Sequence, residues 1–353
     1  MNRKVWMSLL VGMLTIMLVL SGCGSAKKDP KEALQLAMEN AAKLSSYEFN
    51  TSFIINDLSV TSPEITTNPE IGMVYNMLKN AQVTVKGAYQ KDPMQLEMNV
   101  DLTIKGDASF TLNIPVVMTT DKMWVKIPNI PMLPLPENLV GKFVEVDLKK
   151  LAEEAGNQAT VGAMDTVKAQ ELGKEIMKIV FDKFDGKTFF QEVDTKDVTV
   201  PAGIEAKQVI KLAVTNENLD QGLTTLVKDV LPPVLDLLAS DKYKDVVGVT
   251  SADVAEAKKS LSDEAELKKG LEELKKTLKI NDFNIITALN KDNYPAYQEA
   301  NVKADVTSDG ESVKLDLKLT SETTNINGKP NFTITTPPAD VIPMDELSQM
   351  FGG

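Results

Sequence analysis

The chain has 353 residues, with 38 lysines and arginines against 50 aspartates and glutamates, a formal net charge of −12. An acidic surface repels the phosphate backbone, so no nucleic-acid partner is expected. Histidine is absent and Arg3 is the only arginine, which removes histidine triads, most zinc sites and bidentate arginine clamps on phosphate.

Arg3 and Lys4 precede a charge-free apolar run, Val5 to Leu20, and Leu20-Ser21-Gly22-Cys23 follows. A positive stretch, an apolar stretch and a small-residue site in this order predict a processed leader rather than a lasting span. Cys23 is the only cysteine, so no disulfide forms within one chain. The segment resembles the lipobox of bacterial lipoproteins. That resemblance implies residues 1–22 as signal peptide, a diacylated Cys23 as the first mature residue, and residues 23–30 as a tether. A retained signal anchor, or a free thiol behind an ordinary signal peptide, is the alternative. Removing Arg3 and Lys4 from the 38 basic residues leaves 36 against 50 acidic ones, a mature balance of −14.

Asp29 and Pro30 suit an N-cap and a first helical position. Ala33, Leu34, Ala37, Met38, Ala41 and Leu44 then recur at helical spacing, until "LSSYEF" changes the period to two. In "MQLEMNVDLTIK", Met94, Leu96, Met98, Val100, Leu102 and Ile104 alternate with polar residues. After Gly106-Asp107, read as a hairpin turn, the alternation resumes with Phe110, Leu112, Ile114, Val116 and Met118. "TDKMWVKIP" and "KFVEVDL" read as further strands around a proline-stiffened loop, Ile127 to Leu139. That loop is either a pocket rim or a cover over the sheet's open end. Helical sequence returns near 148–184, with a break at "GNQATVG", and strands follow in "GKTFFQEVD" and "IEAKQVIKLAVT". A second helical block near 217–279 contains Pro232 and Pro233 as helix starters and a leucine stripe at 267, 271, 274 and 278. Three alternating strands (283–289, 296–306, 313–319) and a terminal strand "NFTITTPPADV" complete the series.

Eleven or twelve strands interrupted by helical blocks favour α+β with an antiparallel meander, covered on one face only. No linker composition divides residues 31–353, so one domain with helical insertions is expected.

The order of lipobox, tether, helix ending in "AAKLSSYEF", long-stranded meander, inserted helices and "TITTPPADV" resembles the LolA/LppX-like lipoproteins, including related lipoproteins of Gram-positive bacteria. The resemblance implies a curved antiparallel half-barrel of about 11–12 strands whose concave face is closed by helices. It also implies a cavity for acyl chains or other hydrophobic ligands. This chain departs from the family by its longer helical block.

Candidate ligand-binding residues are Met94, Met98, Phe110, Met118, Met123 and Trp124. Methionine is flexible and polarizable, which suits varied apolar ligands; the alternative is an ordinary filled core. Asp182, Asp185 and Gly186 lack the ligand spacing of a calcium loop and read as a helix-end turn. Paired acids and lysines at 263–269 and 272–276 read as solvated helix faces. Ser25-Ala26-Lys27-Lys28 has a Ser-x-x-Lys spacing but lies in the tether. No enzyme activity, cofactor or metal is expected. The expectation is a lipid-anchored protein on the extracytoplasmic face of a cell membrane, attached through diacylglyceryl-Cys23 and binding a lipid or hydrophobic small molecule. A non-catalytic cell-envelope module, with a filled core and a protein or cell-wall partner, is the alternative.

Overall fold

The computed structural model describes residues 27–350 apart from 63–64, 66, 80, 106–108, 131–134, 155–165, 245–250, 263 and 309–310. Cys23, the leader, the Gly106-Asp107 turn and the "GNQATVG" break lie outside the described residues.

Helix α1 (Pro30–Ala41) opens the fold. Asp29 caps it, its carboxylate accepting from the Lys31 amide at 3.0 Å, and Pro30 lacks an N–H that would go unpaired in the first turn. Strand β1 (Ser46–Thr61) leads to helix α2 (Pro69–Leu78) and then to β2 (Ala81–Gln90), β3 (Gln95–Ile104), β4 (Phe110–Thr119), β5 (Lys122–Lys126) and β6 (Phe143–Asp147). Helices α3 (Leu148–Glu154), α4 (Thr166–Lys183) and the single turn α5 (Gly186–Phe189) precede β7 (Phe190–Val193) and β8 (Gln208–Ala213). Next come α6 (Leu219–Thr224), a π-helical turn (Thr225–Val230), α7 (Leu231–Ala239), α8 (Ser251–Ser262) and α9 (Glu264–Thr277). The chain closes with β9 (Leu278–Leu289), β10 (Pro295–Ser308), β11 (Glu311–Thr324), β12 (Val341–Pro343) and α10 (Met344–Met350).

Twelve strands form one curved, unclosed sheet in the order β12-β6-β5-β4-β3-β2-β1-β11-β10-β9-β8-β7. Every neighbouring pair is antiparallel except β12 with β6. Directly opposed residues share a face, so the register sorts the side chains. Leu96, Met98, Val100, Leu102 and Ile104 oppose Met118, Val116, Ile114, Leu112 and Phe110, as the alternation predicts. This Met98 face continues through Val83 and Tyr89 of β2 and Phe53 of β1 to Leu319 of β11. The other face carries Glu48, Ala88, Glu97, Val117, Trp124 and Glu145 in one transverse row.

The largest apolar cluster joins α1 (Ala33, Leu34, Ala37) and Phe181 of α4 to Phe190, Ile210 and Leu289 of the sheet. Ile210 lies on the Met98 face, because the register runs from Val100 through Val85, Thr51, Ser321, Gln298 and Thr287 to it. The Glu97 face is also covered in two places. Val198, Val200 and Ile204 pack on Val209, Ala288 and Tyr297, while Ile334 and Val341 pack on Val117, Trp124 and Phe143. The one-sided cover expected from alternation is therefore corrected.

Two further expectations change. Helix α2 was not legible as a helix among strands, although Asn68 caps it and Pro69 starts it; its short apolar run has no buried side chain to mark a stripe. "NFTITTPPADV" is not a strand. Its Thr333 and Ile334 amides bond to the Glu97 carboxylate instead of a neighbouring strand, and Pro337 and Pro338 have no amide to offer. Only Val341–Pro343 pairs, in parallel with β6.

Candidate functional site

A half-open cavity of about 440 Å³ lies between α1, α4 and the sheet. Helix α1 contributes Gln35, Met38 and Glu39, and the chain leaving it contributes Leu44. Helix α4 contributes Lys174, Met177, Lys178, Phe181 and Asp182. Tyr47 of β1 and Tyr89 of β2 form the floor with their rings 5.2 Å apart, and Lys91 stands in the turn beyond β2. Alanine and glycine at Ala41, Ala42 and Gly173 keep this wall low.

The lining is apolar inside and charged at the edge. Burial pushes the Tyr47 phenol up, with Tyr89 adding to the shift. Lys178 pairs with Asp182 at 3.1 Å, one helical turn apart. Among the described residues, Lys91, Lys174 and Glu39 have no side-chain ion pair, and neither the Tyr47 nor the Tyr89 hydroxyl has a hydrogen-bond partner. The cavity lining contains no serine, threonine or cysteine, and its hydroxyls are the phenols of Tyr47 and Tyr89. Among the described residues no group of three or more histidine, cysteine, aspartate and glutamate side chains converges as a metal site.

The register places the expected ligand-binding residues on two faces. Tyr47, Tyr89, Leu96, Met118 and Met123 follow one another strand by strand in a single transverse row on the Met98 face. Met118 and Met123 therefore share the face and the row of the cavity's tyrosines, beyond the residues that line the cavity itself. Met98 and Phe110 share that face but lie farther along the strands. Met94 precedes β3, in the turn after β2. Trp124 points the opposite way: it is 3% exposed, beneath Ile334 and Val341, and its Nε1 donates to Glu145 Oε2 at 2.9 Å. Its odd-even offset from Met123 contained that information, since adjacent strand residues face opposite sides. Met38, Met177, Tyr47 and Tyr89 were not singled out from the sequence, because their meeting depends on how α1 and α4 cross the sheet.

Two other hollows lie among the described residues. One of about 640 Å³ lies between α2 and the end of β1, lined by Leu58, Val60, Ile71, Val74 and Leu78. The Tyr75 hydroxyl fixes α2 there by donating to the Leu58 carbonyl at 3.0 Å. The other, about 1020 Å³, is a polar cleft at the β9–β10 turn and the end of β11. Its asparagines are engaged within and between the loops: Asn290 Oδ1 accepts from the Asp292 and Tyr294 amides, and Asn327, beyond β11, donates to the Tyr294 hydroxyl. Asp185, considered above for calcium, caps α5 by accepting from the Thr188 amide at 2.8 Å.

No protein-family model matches the chain, and no curated protein matches it. Among solved structures, a bifunctional dehydratase-cyclase domain in ambruticin biosynthesis aligns over 83% of this chain and 81% of that one. The identity is 9% and the TM-score 0.10, a likeness that carries no argument about fold or activity. Among the described residues, no helix is long and apolar enough to cross a membrane.

Proposed function

We propose that this chain is a membrane-anchored extracytoplasmic lipoprotein that binds a lipid or other hydrophobic ligand without catalysing a reaction. In this reading the curved sheet acts as a LolA/LppX-like half-barrel, its Met98 face roofed by α1, α4 and the later helices. Cys23 carries the diacylglyceryl anchor that holds the domain at the cell membrane.

The observation that carries the reading is the cavity of about 440 Å³ between α1, α4 and the tyrosine floor. It falls in the range of small-molecule sites, roughly 300–1,000 Å³. An apolar chain binds there by burial, at about 0.8 kcal/mol per methylene removed from water. Native mass spectrometry of the purified protein tests it. Co-purified lipid that dissociates on activation is the expected result, whereas a ligand-free mass together with failure to take up a fluorescent fatty acid would sink the reading. Labelling with radioactive palmitate tests the anchor, and the Cys23→Ser variant should lose the label.

A second reading, a cell-envelope interaction module, draws on α2. Met73, Val74 and Leu78 are 60%, 51% and 49% exposed there, a cluster of apolar side chains facing water. Specific retention of an envelope protein or wall fragment by the intact surface, lost on replacing these three residues with serine while lipid is absent throughout, would favour it.

A further inference from the structure

The lining of the α1–α4 cavity carries a charge pattern that the burial of an apolar ligand does not require. Lys91 and Lys174 approach its edge from two separate elements, the β2–β3 turn and helix α4. Neither has an ion pair among the described residues. Elsewhere many lysines are matched: Lys122 to Glu145, Lys149 to Asp121, Lys303 to Asp316 and Lys318 to Glu299. Lys178 is neutralised by Asp182, and Glu39 is the unpaired acid of the lining. The edge thus keeps two unpaired cations against one unpaired anion, on a chain whose overall charge is −12. The hydroxyls of Tyr47 and Tyr89, in the same lining, have no hydrogen-bond partner among the described residues and add two donors.

We propose that the cavity takes an amphiphile with a carboxylate or phosphate head, held between Lys91 and Lys174, its tail lying along Tyr89, Leu96, Met118 and Met123. The inference rests on the ligand-binding reading above and adds the class of ligand to it. An acyl chain alone needs only the apolar floor. A lysine left unpaired beside an apolar wall gains most from an anion that arrives with its own apolar tail, because charge pairing strengthens where water is partly excluded. The row from Tyr47 to Met123 continues across five strands on one face, which gives the tail a path away from the charged edge.

The test uses the full chain in phosphatidylcholine nanodiscs with four diazirine-bearing probes: hexadecanoic acid, hexadecyl phosphate, hexadecanol and hexadecyltrimethylammonium. Crosslinks are mapped to peptides: those containing Met38, Tyr89 or Met177 report the cavity, and those containing Met118 report the row beyond it. The acid or the phosphate should half-saturate these peptides at lower concentration than the alcohol and the ammonium probe, and the better of the two identifies the head. The Lys91→Gln/Lys174→Gln variant should weaken the anionic probes about tenfold, the scale of a charge-assisted hydrogen bond, and leave the alcohol unchanged. Lys91→Glu/Lys174→Glu should reverse the order of anionic and cationic probes. Equal labelling by all four probes, or no effect of either double variant, overturns the head assignment while leaving an apolar site. Absence of cavity crosslinks from every probe overturns the ligand-binding reading itself.

Discussion

The Glu97 carboxylate on β3 is the anchor of Thr333, fifteen residues beyond Lys318 in a segment without strand pairing. The Thr333 amide donates to both carboxylate oxygens at 3.0 and 2.9 Å, and its hydroxyl donates to Oε1 at 2.5 Å. The Ile334 amide adds a fourth contact at 2.9 Å. Glu97 is 9% exposed, so these bonds stand in for the water that a buried carboxylate needs. Glu48 repeats the device two strands away, on β1, by accepting from the Asn331 amide at 3.1 Å. The row of acids on the Glu97 face thereby holds the chain as it crosses to β6.

Replacing Glu97 with alanine should destabilise the fold by about 1–3 kcal/mol, since two backbone amides lose their acceptor. Glu97→Gln should cost less, because one carbonyl oxygen survives. Urea unfolding gives the magnitude, and hydrogen exchange should accelerate at residues 331–343 before it does in β3. An alanine variant with wild-type exchange in that segment would show that packing of Ile334 and Val341 alone holds it.

Trp124 gives a spectroscopic view of the same face. Its indole bonds to Glu145, which also pairs with Lys122 at 2.5 Å. The Lys122 hydrogen bond, helped by the Trp124 bond, holds the Glu145 carboxyl below its ordinary value, against the upward push of burial. A depressed folded value means that this contribution to stability is complete above the ordinary glutamate value of about 4.3 and is lost as pH falls through the folded one. In a chain with Trp6→Phe, the emission of Trp124 should therefore titrate below the ordinary glutamate value of about 4.3. Glu145→Gln should abolish that step, and an unchanged titration in the variant would assign it to another acid.

Gly87 lies where Phe49 crosses β2. A Cβ built there would stand 2.2 Å from the Glu97 carbonyl oxygen and 2.8 Å from Phe49 Cζ. The oxygen belongs to the neighbouring strand and cannot swing away. Gly87→Ala should destabilise by about 1–3 kcal/mol, the range of overpacked sites, with Phe49→Leu in the same chain recovering only the part due to the ring. Thermal melting of the single and double variants checks this, and a neutral Gly87→Ala would mean that β2 and β3 slide apart freely.

Filling the α1–α4 cavity should separate binding from stability. Met177 lines it on α4 beside Phe181. Met177→Trp should leave the melting transition within a few degrees of the parent and reduce uptake of a fluorescent fatty acid at least tenfold. Unaltered uptake would move the ligand to the open floor around Val83 and Leu102.

The sequence by itself determined the strand alternation, the α1 start at Asp29-Pro30, and the antiparallel partnership of β3 with β4. These are local: a period of two or 3.6, a cap and a proline act within a few residues of themselves. It also determined which faces are apolar, but a face is not yet a site. Tertiary structure decided that Met118 and Met123 continue the row of Tyr47 and Tyr89 while Trp124 lies beneath Ile334 and Val341 on the other side. It decided as well that Met38 and Met177, 139 residues apart in the chain, share one cavity. Such meetings depend on where α1 and α4 cross a twelve-stranded sheet, and crossing positions are set by packing among distant elements rather than by the residues that end up together.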